Sequence, residues 1–324
     1  MRILLATDGS KPAGRAVHLV ANMGWPKGTA IRIVSSVSKG SDMVVSWTPE
    51  TASLSELDRI EDTIVRTHAV ALESAERDLA LAHPDCMIER FLLRGRAASL
   101  IVEEARDFGA DLIVVGHRGH GPIETMLLGS VSAEVVDHAP CPVLVARDDV
   151  LGTVVLADDG SPSAVIAAAV LEAFPLPIQT PITVLSITDT GFPFTAAAAP
   201  GLYDQAITSY VRSLGEARDE TARIAQGAAD RLHDAGYRTT SVTRDGDPAH
   251  EIVEFATRTN TGLLVLGTRG HTGLKRLLVG SVARNVLLHA PCSVLIVRER
   301  AVHLPIAAER EPDLAAAGGP TGAR

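Results

Sequence analysis

The sequence predicts an α/β protein made of two tandem domains, each a doubly wound sheet of five parallel strands. Three observations support this fold class. The same landmarks return at a constant interval along the chain. Short apolar runs alternate with segments of helical periodicity, which indicates βαβ units. The first and fourth apolar runs of each repeat end in glycine-containing polar sequences. Such a fold is Rossmann-like or flavodoxin-like and binds ligands at the carboxyl edge of its sheet.

The repeat spans most of the 324 residues. Asp159 in ADDGS follows Asp8 in ATDGS by 151 residues, and the same interval separates the two GxxG loops and the two HAPC sequences. An interval of this length suits a whole domain. We therefore predict domains at 1–149 and 150–298, joined with almost no linker. Residues 299–324 are rich in Ala, Pro and Gly, and we expect them to be disordered.

The elements follow in the same order in both halves. Each opens with an apolar run typical of a strand buried on both faces, and Ser10 or Ser161 then caps a helix. The strands are predicted at 2–7, 31–37, 87–93, 111–116 and 142–146, and at 153–158, 181–187, 239–244, 263–267 and 293–297. Further helices are predicted before the third strand, between the third and fourth, and between the fourth and fifth. The apolar stripe of the longest one comprises Leu57, Ile60, Ile64, His68, Leu72, Ala75 and Leu79.

The expected strand order is 3-2-1-4-5, which places strands one and four side by side where the winding reverses. Asp8 and Gly116 would meet at that point. The apolar fifth strands would lie at the sheet edge, where an unpaired strand is a liability. In a tandem chain the two fifth strands can pair with each other.

A glycine motif follows the fourth strand: Gly116-x2-Gly119-x9-Gly129-Ser130. Glycines let the backbone turn tightly and present N–H groups, and the helix that begins at Ser130 would direct further N–H groups at an anion. The pattern indicates phosphate binding. Taken alone, a glycine cluster after a strand is also compatible with a plain turn.

The motif, the aspartate that ends strand one and the PVLV strand together resemble the universal stress protein family, in its ATP-binding branch. The resemblance covers about 298 residues, once per half. It implies a nucleotide-binding α/β module that works as a dimer or tandem pair in stress and dormancy responses, and not as a fast enzyme. ATP would be accompanied by Mg²⁺, which prefers oxygen ligands. The residues implied in the site are Asp8, Val37, Gly116, Gly119, Gly129 and Ser130, and in the second half Asp159, Ile187, Gly267, Gly270, Gly280 and Ser281.

The family assigns these residues different roles. The glycines and serines would hold the phosphates and the ribose. Asp8 and Asp159 would lie at the ribose and on the metal side of the phosphates, and Val37 and Ile187 near adenine.

The two glycine loops differ in charge. Arg118 and Glu124 cancel in the first loop, whereas the second carries Arg269, Lys275 and Arg276. We expect both halves to bind, with the second holding a triphosphate more tightly. The halves also differ before the third helix, where Gly95-Arg96-Ala97 replaces Gly246-Asp247-Pro248.

Composition excludes several classes of function. A net charge of −9 without a dense basic block argues against nucleic acid and anionic lipid as partners. No apolar run approaches the roughly 20 residues of a membrane helix, and the N-terminus lacks a signal peptide's apolar segment. The three cysteines form no CxxC pair, so neither a disulfide framework nor a zinc site is indicated. These features predict a soluble cytoplasmic protein.

Several alternatives stay open. Asp8 and Asp159 could cap the following helices. The loop histidines His117, His120 and His271 could lie near phosphate or serve a metal. We expect His138 and His289 to be structural at helix ends, and Cys141 and Cys292 to be buried thiols. An ATPase, a nucleotidyl transferase and a scaffold with vestigial sites are the rival functions. A homodimer of tandem chains and an unidentified regulatory protein are the expected partners besides the nucleotide.

Overall fold

The computed structural model describes residues 1–38, 54–119, 128–177, 179–191, 203–268 and 279–298. The strands are β1 Arg2–Ala6, β2 Ala30–Val37, β3 Met87–Arg94, β4 Leu112–Gly116, β5 Val143–Ala146, β6 Val154–Ala157, β7 Pro181–Thr188, β8 Arg238–Asp245, β9 Leu263–Gly267 and β10 Ser293–Val297. The helices are α1 Lys11–Ala21, α2 Leu54–Ala82, α3 Ala97–Phe108, α4 Ser130–His138, α5 Pro162–Glu172, α6 Tyr203–Asp234, α7 Pro248–Arg258 and α8 Ser281–His289. The predicted tail at 299–324 lies outside the described residues.

All ten strands form one sheet, in the order β3-β2-β1-β4-β5-β10-β9-β6-β7-β8. The order 3-2-1-4-5 is therefore confirmed in both halves. Every pair is parallel except β5 with β10, which is antiparallel with Leu144 opposite Leu295. The apolar fifth strands thus cover each other's edges, which joins the halves into a continuous sheet.

Helices cover both faces of the sheet, so the strands are apolar without alternation. Ile3 and Leu5 contribute to the core under α1, α2, α5 and α6. Leu4, between them, contributes to the core under the other helices. All three side chains are fully buried, and burial of each stabilises the fold by about 1.5–3 kcal/mol.

The turn after each first strand is held by an aspartate and a serine with separate tasks. The Ser10 N–H donates to Asp8 Oδ1 at 3.0 Å, and the Ala13 N–H donates to Ser10 Oγ at 3.3 Å. The second half repeats both contacts with Asp159 and Ser161. The alternative in which the aspartates cap the helices is therefore wrong, since the serines occupy the capping positions.

The starts of α3 and α7 differ in the way their sequences suggest. Asp247 caps α7, accepting from the His250 N–H at 2.8 Å, and Pro248 is the first residue of that helix. Arg96 precedes α3 and provides no side-chain cap.

The side chains of two arginines form hydrogen bonds from one half to the other. Arg147, after β5, donates from Nη2 to the Leu287 carbonyl at 2.6 Å. Arg298, after β10, donates to the carbonyls of Asp137 and Ala139, both at 2.9 Å. Each guanidinium thus satisfies carbonyls at the C-terminal end of the last helix of the opposite half, where a cation also complements the helix dipole.

Among the helices that the structure describes, none is both long and apolar enough to span a bilayer.

Candidate functional site

Each half has a cavity at the carboxyl edge of its strands, in the place that the fold class predicts. The volumes are about 420 Å³ in the first half and about 580 Å³ in the second, within the range of small-molecule sites. Of the predicted residues, the first cavity is lined by Asp8, Gly116, Gly119, Gly129 and Ser130. The second is lined by Asp159, Ile187, Gly267, Gly280 and Ser281.

One predicted residue is not brought into the first cavity. Val37 is 1% exposed and is not among the residues lining the first cavity. Its carbonyl accepts from the Gly95 N–H at 2.9 Å. The residues of β2 that do line the cavity are Val34, Ser35 and Ser36. Gly270 lies outside the described residues, as do His120 and His271.

At Gly119 and Gly116 of the motif, a side chain is excluded for different physical reasons. A Cβ on Gly119 would collide with Asp8 Oδ2, so this glycine lets the loop and the carboxylate approach closely. A Cβ on Gly116 would lie 2.7 Å from the Pro12 carbonyl oxygen. Gly116 therefore allows α1 to pack against the end of β4. Gly267 has the same role in the second half, where a Cβ would lie 2.7 Å from the Ser163 carbonyl carbon.

The helix that closes each cavity begins without a side-chain cap among the described residues. Gly129 precedes α4 and Gly280 precedes α8, and neither can offer an oxygen. The first turns of the two helices, from Ser130 and Ser281 onward, line the cavities. Free N–H groups and the positive end of the helix dipole are suited to an anion.

His68 lines the first cavity although its spacing had assigned it to an apolar stripe. Ser35 Oγ donates to the Thr7 carbonyl at 2.5 Å, and it lies 2.7 Å from His68 Nδ1. Because a hydroxyl has one proton, Ser35 accepts from His68, and the imidazole proton is on Nδ1. A histidine within an otherwise aliphatic stripe was the available sequence signal. In the second cavity the helical lining includes Thr221 instead.

A second overlooked difference precedes the aspartate of strand one. Thr7 lines the first cavity and Asp158 the second. Asp158 is 3% exposed, and burial is the main cause that raises the pKa of its carboxyl. The exchange of Thr7 for Asp158 is visible in the sequences ATDGS and ADDGS. Its importance for the cavity depends on the burial of the Asp158 side chain.

The remaining candidates are structural. His138 and His289 are the last residues of α4 and α8, and each Nδ1 lies 2.9 Å from a carbonyl of its own helix. Cys141 and Cys292 are 3% and 1% exposed, and burial raises the pKa of both thiols to about 12. The expected structural histidines and buried thiols are confirmed.

One cluster outside the cavities has metal-ligand chemistry among the described residues: His250, Glu251 and Glu254 on α7. Arg244 Nη1 lies 3.3 Å from a carboxylate oxygen of each glutamate. Ion pairing with Arg244 accounts for both carboxylates.

Comparison with known proteins identifies relatives of both halves. The family model described as "Universal stress protein family" matches residues 1–147 and again residues 151–298. A universal stress protein of Thermus aquaticus is 38% identical over 145 residues, which cover 45% of this chain and 97% of that protein. A universal stress protein of Mycobacterium tuberculosis is 25% identical over 319 residues, which cover 91% of this chain and 94% of that protein.

Among solved structures, a universal stress protein from Archaeoglobus fulgidus DSM 4304 has a TM-score of 0.60 at 16% identity, covering 92% of this chain and 98% of that one. At this identity the likeness concerns the fold.

Proposed function

The chain belongs to the universal stress protein family, and on that premise we propose that each half binds an adenine nucleotide, ATP with Mg²⁺, to regulate a stress or dormancy response. The observation that supports the proposal is that the same three features line one cavity in each half. In each half, the described residues that line one cavity include a helix N-terminus without a side-chain cap, motif glycines and the aspartate that follows strand one. Helix N-termini and glycine backbones are the usual partners of phosphate.

The first cavity offers suitable partners for the phosphates and for the ribose or Mg²⁺. Gly119, Gly129 and Ser130 would hold the phosphates, with Arg118 in the lining as a cation. Asp8 supplies a carboxylate for the ribose or for Mg²⁺, which favours hard oxygen ligands. When bound, Mg²⁺ would neutralise phosphate charge.

The second cavity would use Gly280, Ser281 and Asp159 in the corresponding roles, with Ile187 beside the base. The tighter triphosphate binding predicted for this half rests on Arg269, Lys275 and Arg276. All three lie outside the described residues, so this ranking stays a prediction.

A slow ATPase is the second candidate, because His68 introduces a titratable side chain into the first cavity. With its proton on Nδ1, the imidazole would take part in proton transfer through Nε2. Metal-dependent phosphate release above about 1 per second, which His68→Gln abolishes, would favour turnover over binding.

Calorimetric titration of the purified protein with ATP and Mg²⁺ tests the binding function, with two nucleotides per chain expected. Gly119→Val should weaken one of the two sites by about tenfold or more, because its side chain would displace Asp8 and fill the phosphate position. Gly14→Ala is the matched control, since a Cβ there meets nothing within 4 Å. If the protein binds no ATP in the presence of Mg²⁺, the result would instead support a scaffold function.

A further inference from the structure

We propose that Asp158 makes nucleotide binding in the second cavity depend on a divalent cation, whereas the first cavity, with Thr7 at the same position, binds nucleotide with much less need of one. The inference rests on the proposed nucleotide binding and concerns what distinguishes the two sites. It assigns a specificity role to a position that precedes the strand-one aspartate in each half.

Thr7 and Asp158 occupy the same backbone position. The Thr7 N–H donates to the Val34 carbonyl at 2.9 Å, and the Asp158 N–H donates to the Leu185 carbonyl at 3.0 Å. Their own carbonyls accept from Ser35 Oγ and Ser186 Oγ, in both cases at 2.5 Å. The two halves therefore differ here in the side chain and not in the course of the backbone.

The Asp158 carboxylate is placed where its charge is poorly screened. It is buried and lines the cavity beside Asp159. Its Oδ1 accepts from the Gly160 N–H at 2.7 Å. A carboxylate this deeply buried costs free energy unless it is paired, and a nearby cation would offset that cost.

The charged groups around the two cavities show the same contrast. The described residues lining the first cavity include one carboxylate, Asp8, and one guanidinium, Arg118. Those lining the second include four carboxylates and no basic side chain: Asp158, Asp159, Asp189 and Glu220. Glu220 forms an ion pair with Arg223, and Asp159 and Asp189 are exposed, so Asp158 is the buried carboxylate among these four. Arg269, Lys275 and Arg276 lie outside the described residues.

A triphosphate brought beside two carboxylates is repelled by both. At a separation of about 5 Å, one additional buried carboxylate weakens anion binding by about tenfold to a hundredfold. A divalent cation removes this repulsion and gains hard oxygen ligands from carboxylate and phosphate together. The effect falls mainly on the second cavity, because Thr7 offers a neutral hydroxyl in the first.

The experiment titrates ATP into the full chain by calorimetry, once with Mg²⁺ and once with EDTA. The parent protein should bind two nucleotides with Mg²⁺, and EDTA should weaken one site by about tenfold or more relative to the other. Asp158→Asn should abolish this difference, because the amide oxygen can still accept from Gly160 while the charge is lost. Thr7→Asp should make the first site cation-dependent as well. Asp230→Asn removes an exposed carboxylate on α6, which bonds Gln226, and should change nothing.

The outcomes separate this inference from the proposed function. If ATP binds neither site with Mg²⁺, nucleotide binding itself fails. If both sites bind and EDTA weakens them equally, or if Asp158→Asn leaves the difference intact, the role of Asp158 is refuted. The asparagine variant retains the local hydrogen bond, so it decides the question even if Thr7→Asp does not fold.

Discussion

Replacing His117 with threonine should make the protein more resistant to acid. His117 follows β4, and burial lowers the pKa of its imidazole to about 4, with the Arg147 charge as the next cause. Its Nδ1 is buried without a hydrogen-bond partner among the described residues. Threonine is the natural test, because Thr268 follows β9 at the equivalent position and is 3% exposed.

The sign follows from linkage between protonation and folding. Between pH 6.5 and about 4 the unfolded chain protonates His117 and the native protein does not, so the native state loses stability as the pH falls through this window. Lowering the pKa by this amount corresponds to at most about 3.4 kcal/mol. Because His117 is only half-buried, solvent screening reduces the expected effect to about 1–2 kcal/mol.

Urea denaturation at pH 7, 6, 5 and 4.5 measures this effect as a difference between two proteins. The free energy of unfolding of the parent should fall by about 1–2 kcal/mol more than that of His117→Thr, since the other titrating groups are common to both. His18→Gln, which removes an exposed histidine of α1, should follow the parent. Parallel curves for the parent and His117→Thr would refute the assignment of a buried neutral imidazole.

Two further predictions concern the junction and the thiols. Arg298→Ala should lower the free energy of unfolding by about 1–3 kcal/mol in urea titrations, because the helix-end carbonyls of Asp137 and Ala139 lose their donor; an unchanged midpoint would contradict this role. In the native protein a maleimide should modify Cys86, which is partly exposed, well before Cys141 and Cys292, which are buried; mass spectrometry of the peptides shows the order, and equal rates would argue against the packing described.

Much of the fold could be predicted because the sequence pattern of one domain is repeated in the second half of the chain. The interval from Asp8 to Asp159 aligned the halves, and continuous apolar runs identified strands buried on both faces. The strand order followed from the winding rule for such sheets. Periodicity could not reveal the antiparallel direction of β5 and β10, since an apolar edge strand can pair in either sense.

The site was predicted less completely, because the roles of several residues depend on tertiary contacts that a sequence pattern does not show. Gly116 looked like part of a phosphate loop, but its lack of a side chain is required by the proximity of Pro12. His68 fitted a helical stripe, and only the tertiary structure shows that this position reaches Ser35. The exchange of Thr7 for Asp158 was visible, but its importance comes from desolvation, which depends on neighbours distant in the chain.

The antiparallel pair of β5 and β10 has a consequence for how the two sites can diverge. If two identical chains met at these strands, every substitution would appear in both sites at once. Here the partners are covalently joined, so they meet at any protein concentration and a change in one half leaves the other as it was. The joined chain can therefore keep one site while altering its twin, and the exchange of Thr7 for Asp158 is a difference that an assembly of identical halves could not carry.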